Sequence, residues 1–179
     1  VGNGAYRYGG GMWVSSATPC VITNCTFDVN GASCGGGVYL TGTDATIANC
    51  LFENNSVADS FSSGNQRGGG LLAEGGNLSL RDCTFQDNTS KDNSAGMRLD
   101  SMTSLVERCS FLENWGGDGA GAYVYGGDAT FVNGLFAKNR GRWGPGVYCR
   151  VGANVELLNC TLTKNNASGP GGGLYVEGN

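Results

Sequence analysis

Six times in this chain an aromatic residue or leucine stands two residues after a cysteine slot and three before an asparagine. The pairs are Phe27/Asn30, Phe52/Asn55, Phe85/Asn88, Phe111/Asn114, Phe136/Asn139 and Leu162/Asn165. The slot holds Cys25, Cys50, Cys83, Cys109, Gly134 and Cys160, so successive copies lie 25, 33, 26, 25 and 26 residues apart. Glycine followed by an apolar strand keeps the same beat at Gly11, Gly37, Gly70, Gly96, Gly121, Gly146 and Gly173. A period of this length is the signature of a solenoid, in which each unit buries its apolar face only by stacking on the next.

The apolar positions say which way each strand faces. Five residues before the aromatic stand Ile22, Ile47, Leu80, Val106, Phe131 and Leu157, apolar every time and therefore inward. The cysteine slot and the aromatic are two apart, so in a strand they point to the same side. Asn24, Asn49, Asp82, Arg108, Asn133 and Asn159 break the alternation and mark a corner. After each glycine run, pairs such as Val38 with Leu40 and Val147 with Cys149 read inward. That leaves Trp13, Tyr39, Leu72, Arg98, Tyr123, Tyr148 and Tyr175 as an outward stripe. Three short strands per turn over six to seven turns, each in register with its copy one turn on, make a parallel β-helix. Thirty-three glycines among 179 residues suit many tight turns and oppose helix, where each costs roughly 0.5 to 1 kcal/mol.

The strings Asn-Cys-Thr-Phe at 24–27, Asp-Cys-Thr-Phe at 82–85, Phe-Glu-Asn-Asn at 52–55 and Gly-Gly-Gly-Val-Tyr at 35–39 resemble the polymorphic outer-membrane-protein repeat. That repeat belongs to the wider right-handed parallel β-helix group. The resemblance covers nearly the whole chain and implies a right-handed, single-stranded all-β solenoid. It also implies an extracellular, adhesin-like stalk or passenger segment at the cell surface, and the sparse carboxylates read the chain as noncatalytic. Residues 1–179 thus read as one β-helix segment of a longer solenoid or fibre. The glycine-strand motifs at both ends leave it to be covered by flanking solenoid turns or by self-association with another copy.

Adjacent turns of such a coil lie about 4.8 Å apart, so like side chains stack. The asparagine column Asn30, Asn55, Asn88, Asn114, Asn139 and Asn165 is expected to be a structural ladder of amides. The cysteine column Cys25, Cys50, Cys83, Cys109 and Cys160 packs as small buried hydrophobes, because parallel side-chain vectors strain a disulfide between neighbouring turns. Cys20 and Cys34 lie outside the column and are the candidates for a bridge. Zinc needs about four converging ligands, and the chain has no histidine and no Cys-x-x-Cys pair; no cofactor or metal site is expected. Six Asn-x-Ser/Thr triplets begin at Asn24, Asn54, Asn77, Asn88, Asn159 and Asn166. A glycan on Asn24, Asn88 or Asn159 would collide with stacked columns, which leaves Asn54, Asn77 and Asn166 as acceptors.

Between Gly37 and Gly70 the step of 33 inserts about eight residues, within a surface loop at 56–67. Phe61 in that loop, together with Trp13, Tyr39, Tyr123, Tyr148 and Tyr175 of the outward stripe, is a candidate contact for a glycan or protein receptor. Eleven basic against fifteen acidic side chains, with nothing basic clustered, exclude a nucleic-acid footprint. No apolar run approaches the roughly 20 residues of a membrane-spanning helix, so the segment is not expected to insert directly.

Two other readings remain open. β-Helices that resemble pectate lyases and polygalacturonases cleave acidic polysaccharides with clustered carboxylates. Here Asp28, Glu53, Asp87 and Glu113 alternate with Lys138 and Lys164 instead of forming a compact pair. A flat ice-binding face would need a hydroxyl row, and Leu51 and Leu135 interrupt Thr26, Thr84, Ser110 and Thr161.

Overall fold

The computed structural model describes residues 2–16, 19–57 and 67–178, and every regular element among them is a β-strand. All pairings are parallel and join residues one repeat apart. Phe27 stands opposite Phe52, Phe52 opposite Phe85, and the register continues through Phe111 and Phe136 to Leu162. The coil has three faces. A ten-stranded sheet starts at Met12–Ser15, a six-stranded sheet carries the phenylalanines, and a short face is made of two-residue strands such as Ser56–Val57 and Arg140–Gly141. Trp115 joins the two halves of the short face through single bridges to Thr89 and Arg140.

The first of these faces is built from two segments of each turn. The glycine strand and the strand before the corner belong to one sheet, and in three turns they fuse into Met97–Glu107, Ala122–Val132 and Val147–Leu158. Left-handed residues inside them bend the chain without breaking the sheet: Ser101 at φ 52°, Gly127 at 75° and Gly152 at 82°. The 33-residue step is absorbed between two residues that hold the common register. Val57 pairs with Ala32 and Ser90, and Arg67 is bridged to Cys34 and Asn93. Of the expected loop at 56–67, Ser56, Val57 and Arg67 belong to the stack, and its other residues, Phe61 among them, lie outside the described residues.

The expected corner is real. Asn24, Asn49, Asp82, Arg108, Asn133 and Asn159 all take φ between 50° and 56°. Arginine is a poor left-handed residue, and at Arg108 the guanidinium is held by two bonds of 2.7 and 2.9 Å to Asp82 on the preceding turn. A second left-handed column, at Val29, Asn54, Asp87, Glu113, Lys138 and Lys164, precedes the asparagines. Only lysine occurs twice there, at Lys138 and Lys164, so no shared residue type marks the column in the sequence.

That second bend turns each ladder asparagine inward. From Asn55 to Asn165 every Oδ1 accepts two bonds from the preceding turn, one from the backbone N–H and one from Nδ2, at 3.0 to 3.1 Å. The other Nδ2 hydrogen goes to a phenylalanine carbonyl, as from Asn114 to Phe85 at 3.0 Å. Asn3, which the repeat motif does not flag, adds a seventh member through its amide bond to Asn30 at 2.9 Å. Beside the ladder the glycine column faces the next turn's carbonyls: a Cβ on Gly121 would stand 2.6 Å from the Gly146 oxygen and 3.1 Å from Asn139 Nδ2. Hence glycine recurs with the asparagine. The inward phenylalanines stack nearly parallel, with centroids 4.5 to 5.1 Å apart from Phe27 to Phe136.

Candidate functional site

The stripe expected to face outward is largely covered. Tyr39, Tyr123 and Tyr148 are 8, 1 and 3% exposed, Leu72 and Arg98 are buried with them, and Tyr175 is half-buried. Trp13 alone of that stripe is open, at 55%. These side chains do point away from the core, but the chain entering each glycine strand crosses over them. Left-handed Gly119 and Gly144 allow the crossing: a Cβ on either would lie 3.0 Å from Tyr148 Cβ and 2.9 Å from Tyr175 Cβ respectively. The result is a second buried layer, which period-two alternation in a single strand cannot reveal. Tyr39, Tyr123 and Tyr148 are thus excluded as receptor contacts.

The covered layer is ionic and aromatic. Arg98 Nε donates to Asp100 Oδ1 at 2.7 Å, and its guanidinium lies 4.3 Å over the Tyr123 ring. Arg67 reaches Asp100 at 3.4 Å and Glu74 at 3.5 Å, while the Tyr39 hydroxyl donates to Glu74. Burial pushes the Asp100 carboxyl above the usual range against the attraction of both arginines. Burial, reinforced by hydrogen bonds to Glu74 and Glu177, pushes the Tyr39 and Tyr148 hydroxyls up as well. With its groups turned toward one another, this layer ties turns together and leaves no open chemistry.

The open site lies elsewhere, beside the asparagine ladder. The left-handed Glu113 turns outward, Asn114 turns inward, and Trp115 turns outward again, 61% exposed. Asp87 occupies Glu113's column one turn earlier, and Lys138 one turn later; Arg140 follows Trp115 in the short face. Together these five residues line a groove of about 700 Å³. Across Trp115 and Arg140 it continues into a second hollow of about 360 Å³ that reaches Arg142 and Asn166. Lys138 Nζ meets Glu113 at 2.6 Å, which holds the Glu113 carboxyl below and the Lys138 ammonium above their ordinary values. Sequence reasoning missed Trp115 because it follows the ladder residue in one repeat only, where other repeats carry Gly31, Ser56, Thr89, Arg140 and Asn166.

The cysteine file is real from Cys50 through Cys109, where the thiols are buried; Cys25 is exposed and Cys160 half-buried. Burial raises the thiol of Cys149, also in the core, to about 11. The Cys20–Cys34 bridge is not formed. Cys20 packs against the core while Cys34 stands in the outer ionic layer near Arg67, on the other side of the sheet. Among the sequons, Asn54, Asn77 and Asn166 are exposed and Asn88 is fully buried in the ladder. Asn24 and Asn159 are exposed too, so the corner leaves them free of the collision expected from the sequence: its left-handed turn points them to solvent. Among the described residues no group of three or more His, Cys, Asp or Glu side chains could hold a metal ion.

Neither the curated proteins nor the solved structures contain a match to this chain. The family of right-handed β-helix regions matches residues 8–179. With the parallel in-register coil and its amide ladder, that match makes the chain a member of the right-handed β-helix family.

Proposed function

We propose that this chain is a noncatalytic, extracellular structural and adhesive rod, one length of β-helix in a cell-surface protein, appendage or fibre. The observation that carries this reading is the use made of its outer carboxylates. Asp82 is bound to Arg108, Glu113 to Lys138 and Asp118 to Arg142, each pair joining one turn to the next. Charges spent in this way reinforce the stack; hydrolysis would call instead for two carboxyls facing one another across a substrate bond. Rigidity follows from the backbone pairing, the amide file and the phenylalanine stack acting along one axis. The exposed sequons at Asn54, Asn77 and Asn166 are compatible with a secreted product.

The amide file is also directional. Each asparagine donates toward the C-terminal neighbour and accepts from the N-terminal one, so Asn3 offers an acceptor and Asn165 offers donors at opposite ends. Further turns, from flanking chain or from a second copy, add head to tail on such a polarity. Incubation of the purified chain with uronic-acid polymers, followed by assay for new reducing ends and unsaturated products, tests the noncatalytic part. Sustained turnover would replace the rod with a polysaccharide-active enzyme. Light scattering across a wide concentration range tests the axial part, where growth in mass is expected and a strictly monomeric species refutes it.

A further inference from the structure

The Trp115 groove has features that ladder chemistry does not use. Among the described residues no aromatic ring or cation lies over the Trp115 indole, whereas the Trp143 ring is taken up by Arg142 at 4.7 Å and Tyr175 at 5.9 Å. Lys138 is committed to Glu113 and Arg142 to Asp118, the latter through two bonds of 2.9 and 2.8 Å. Arg140 is exposed and, among the described residues, in no such pair. The groove therefore offers one bare flat apolar surface, one uncommitted five-donor fork, and carboxylate oxygens of Asp87 and Glu113 able to accept.

From this combination we infer that the Trp115 groove binds a neutral oligosaccharide, with a sugar ring lying on the indole. A pyranose has an apolar C–H face for stacking and hydroxyls that both donate and accept, so it can satisfy Arg140 and the two carboxylates at once. The two acidic and two basic side chains lining the larger hollow cancel, and the chain as a whole carries −4, so a polyanion gains little from the field and meets Asp87 and Glu113 as like charges. A peptide strand has no edge to join. The Trp115 N–H already donates to Asn88 O at 3.0 Å, its carbonyl accepts from Ser90 N at 3.0 Å, and the Arg140 N–H donates to Asn114 O at 2.9 Å. From Asp87 to Asn166 the groove crosses three turn spacings, about 14 Å at about 4.8 Å each, which suits a short oligomer better than a single sugar.

This inference rests on the reading of the chain as a binding rod, and one experiment separates the two. Titration calorimetry of the chain with cellohexaose, mannohexaose, chitohexaose and, as the anionic counterpart, hexagalacturonate is followed by mass spectrometry of each sugar. Saturable binding of at least one neutral hexamer is expected. Trp115→Ala should weaken it about tenfold or more, a loss of about 1.4 kcal/mol. Trp115→Phe should keep part of it, and Trp13→Ala should change it by less than about twofold. Because the Trp115 side chain is exposed, these variants keep the β-sheet circular dichroism of the parent. Binding of none of the neutral hexamers, tighter binding of hexagalacturonate, or indifference to Trp115→Ala overturns the inference and leaves the rod standing. Binding that depends on Trp115 but is accompanied by shortened sugars supports the groove and overturns the noncatalytic reading.

Discussion

Replacing Asn114 with alanine removes a side chain that is fully buried at the middle of the amide file. Its Oδ1 is the acceptor for both the backbone N–H of Asn88 at 3.1 Å and Nδ2 of Asn88 at 3.0 Å. Its own Nδ2 donates to Asn139 Oδ1 and to the Phe85 carbonyl, each at 3.0 Å. After the substitution Asn139 Oδ1 keeps the backbone N–H of residue 114 as a donor. The backbone N–H of Asn88 and one hydrogen of its amide keep nothing, and water has no route to them. Two orphaned buried donors at about 1 to 3 kcal/mol each place the cost at about 2 to 6 kcal/mol, a large share of the 5 to 15 typical of a whole domain. Asn165→Ala is the matched control. It removes the acceptor of Asn139 in the same geometry, but Asn165 is half-buried and solvent can replace it, so about 1 kcal/mol is expected. Urea unfolding followed by circular dichroism reads both values. Equal costs at the two positions, or a loss below about 1 kcal/mol at Asn114, would refute the claim that buried amide pairing holds the stack.

Further outcomes follow from other columns. Gly121→Ala places a methyl 2.6 Å from the Gly146 carbonyl oxygen and should cost about 1 to 3 kcal/mol, while Gly4→Ala, with nothing within 4 Å, should cost almost nothing; equal melting points for the two would remove the steric account of the glycine column. Asp100 titrates above the usual carboxylate range when folded, so the stability it contributes is full below about pH 4 and is lost as pH rises through its folded value. Asp100→Asn should accordingly be neutral or stabilising near pH 7, with the difference vanishing in acid, and destabilisation by several kcal/mol at neutral pH would mean that attraction to Arg98 outweighs burial. In the native state a thiol reagent should modify Cys25 rapidly and Cys20, Cys34 and Cys160 more slowly, leaving Cys50, Cys83, Cys109 and Cys149 unmodified until denaturant is added; a native thiol count reduced by two would reveal a bridge.

Most of the coil is legible in the residues because a solenoid repeats its local chemistry at every turn. The columns of Phe27, Cys50 and Asn114, the corner at Asn49 and the glycine strand after Gly37 each recur over six or seven slots with at most a few replacements, and the register between turns follows by subtraction. Features present in one copy, or made by segments crossing one another, left no such mark. The left-handed column at Val29 to Lys164 tolerates any side chain that solvent accepts. The burial of Tyr123 depends on a neighbouring segment laid over it, a contact that strand alternation cannot encode, and Trp115 stands out only once the bend at Glu113 directs it into the open. The sequence by itself therefore determined the axis, the period and the inward files, since these follow from stacking like on like. Only the tertiary structure decided which outward side chains meet solvent, because that depends on how far each connecting segment swings over the face beside it.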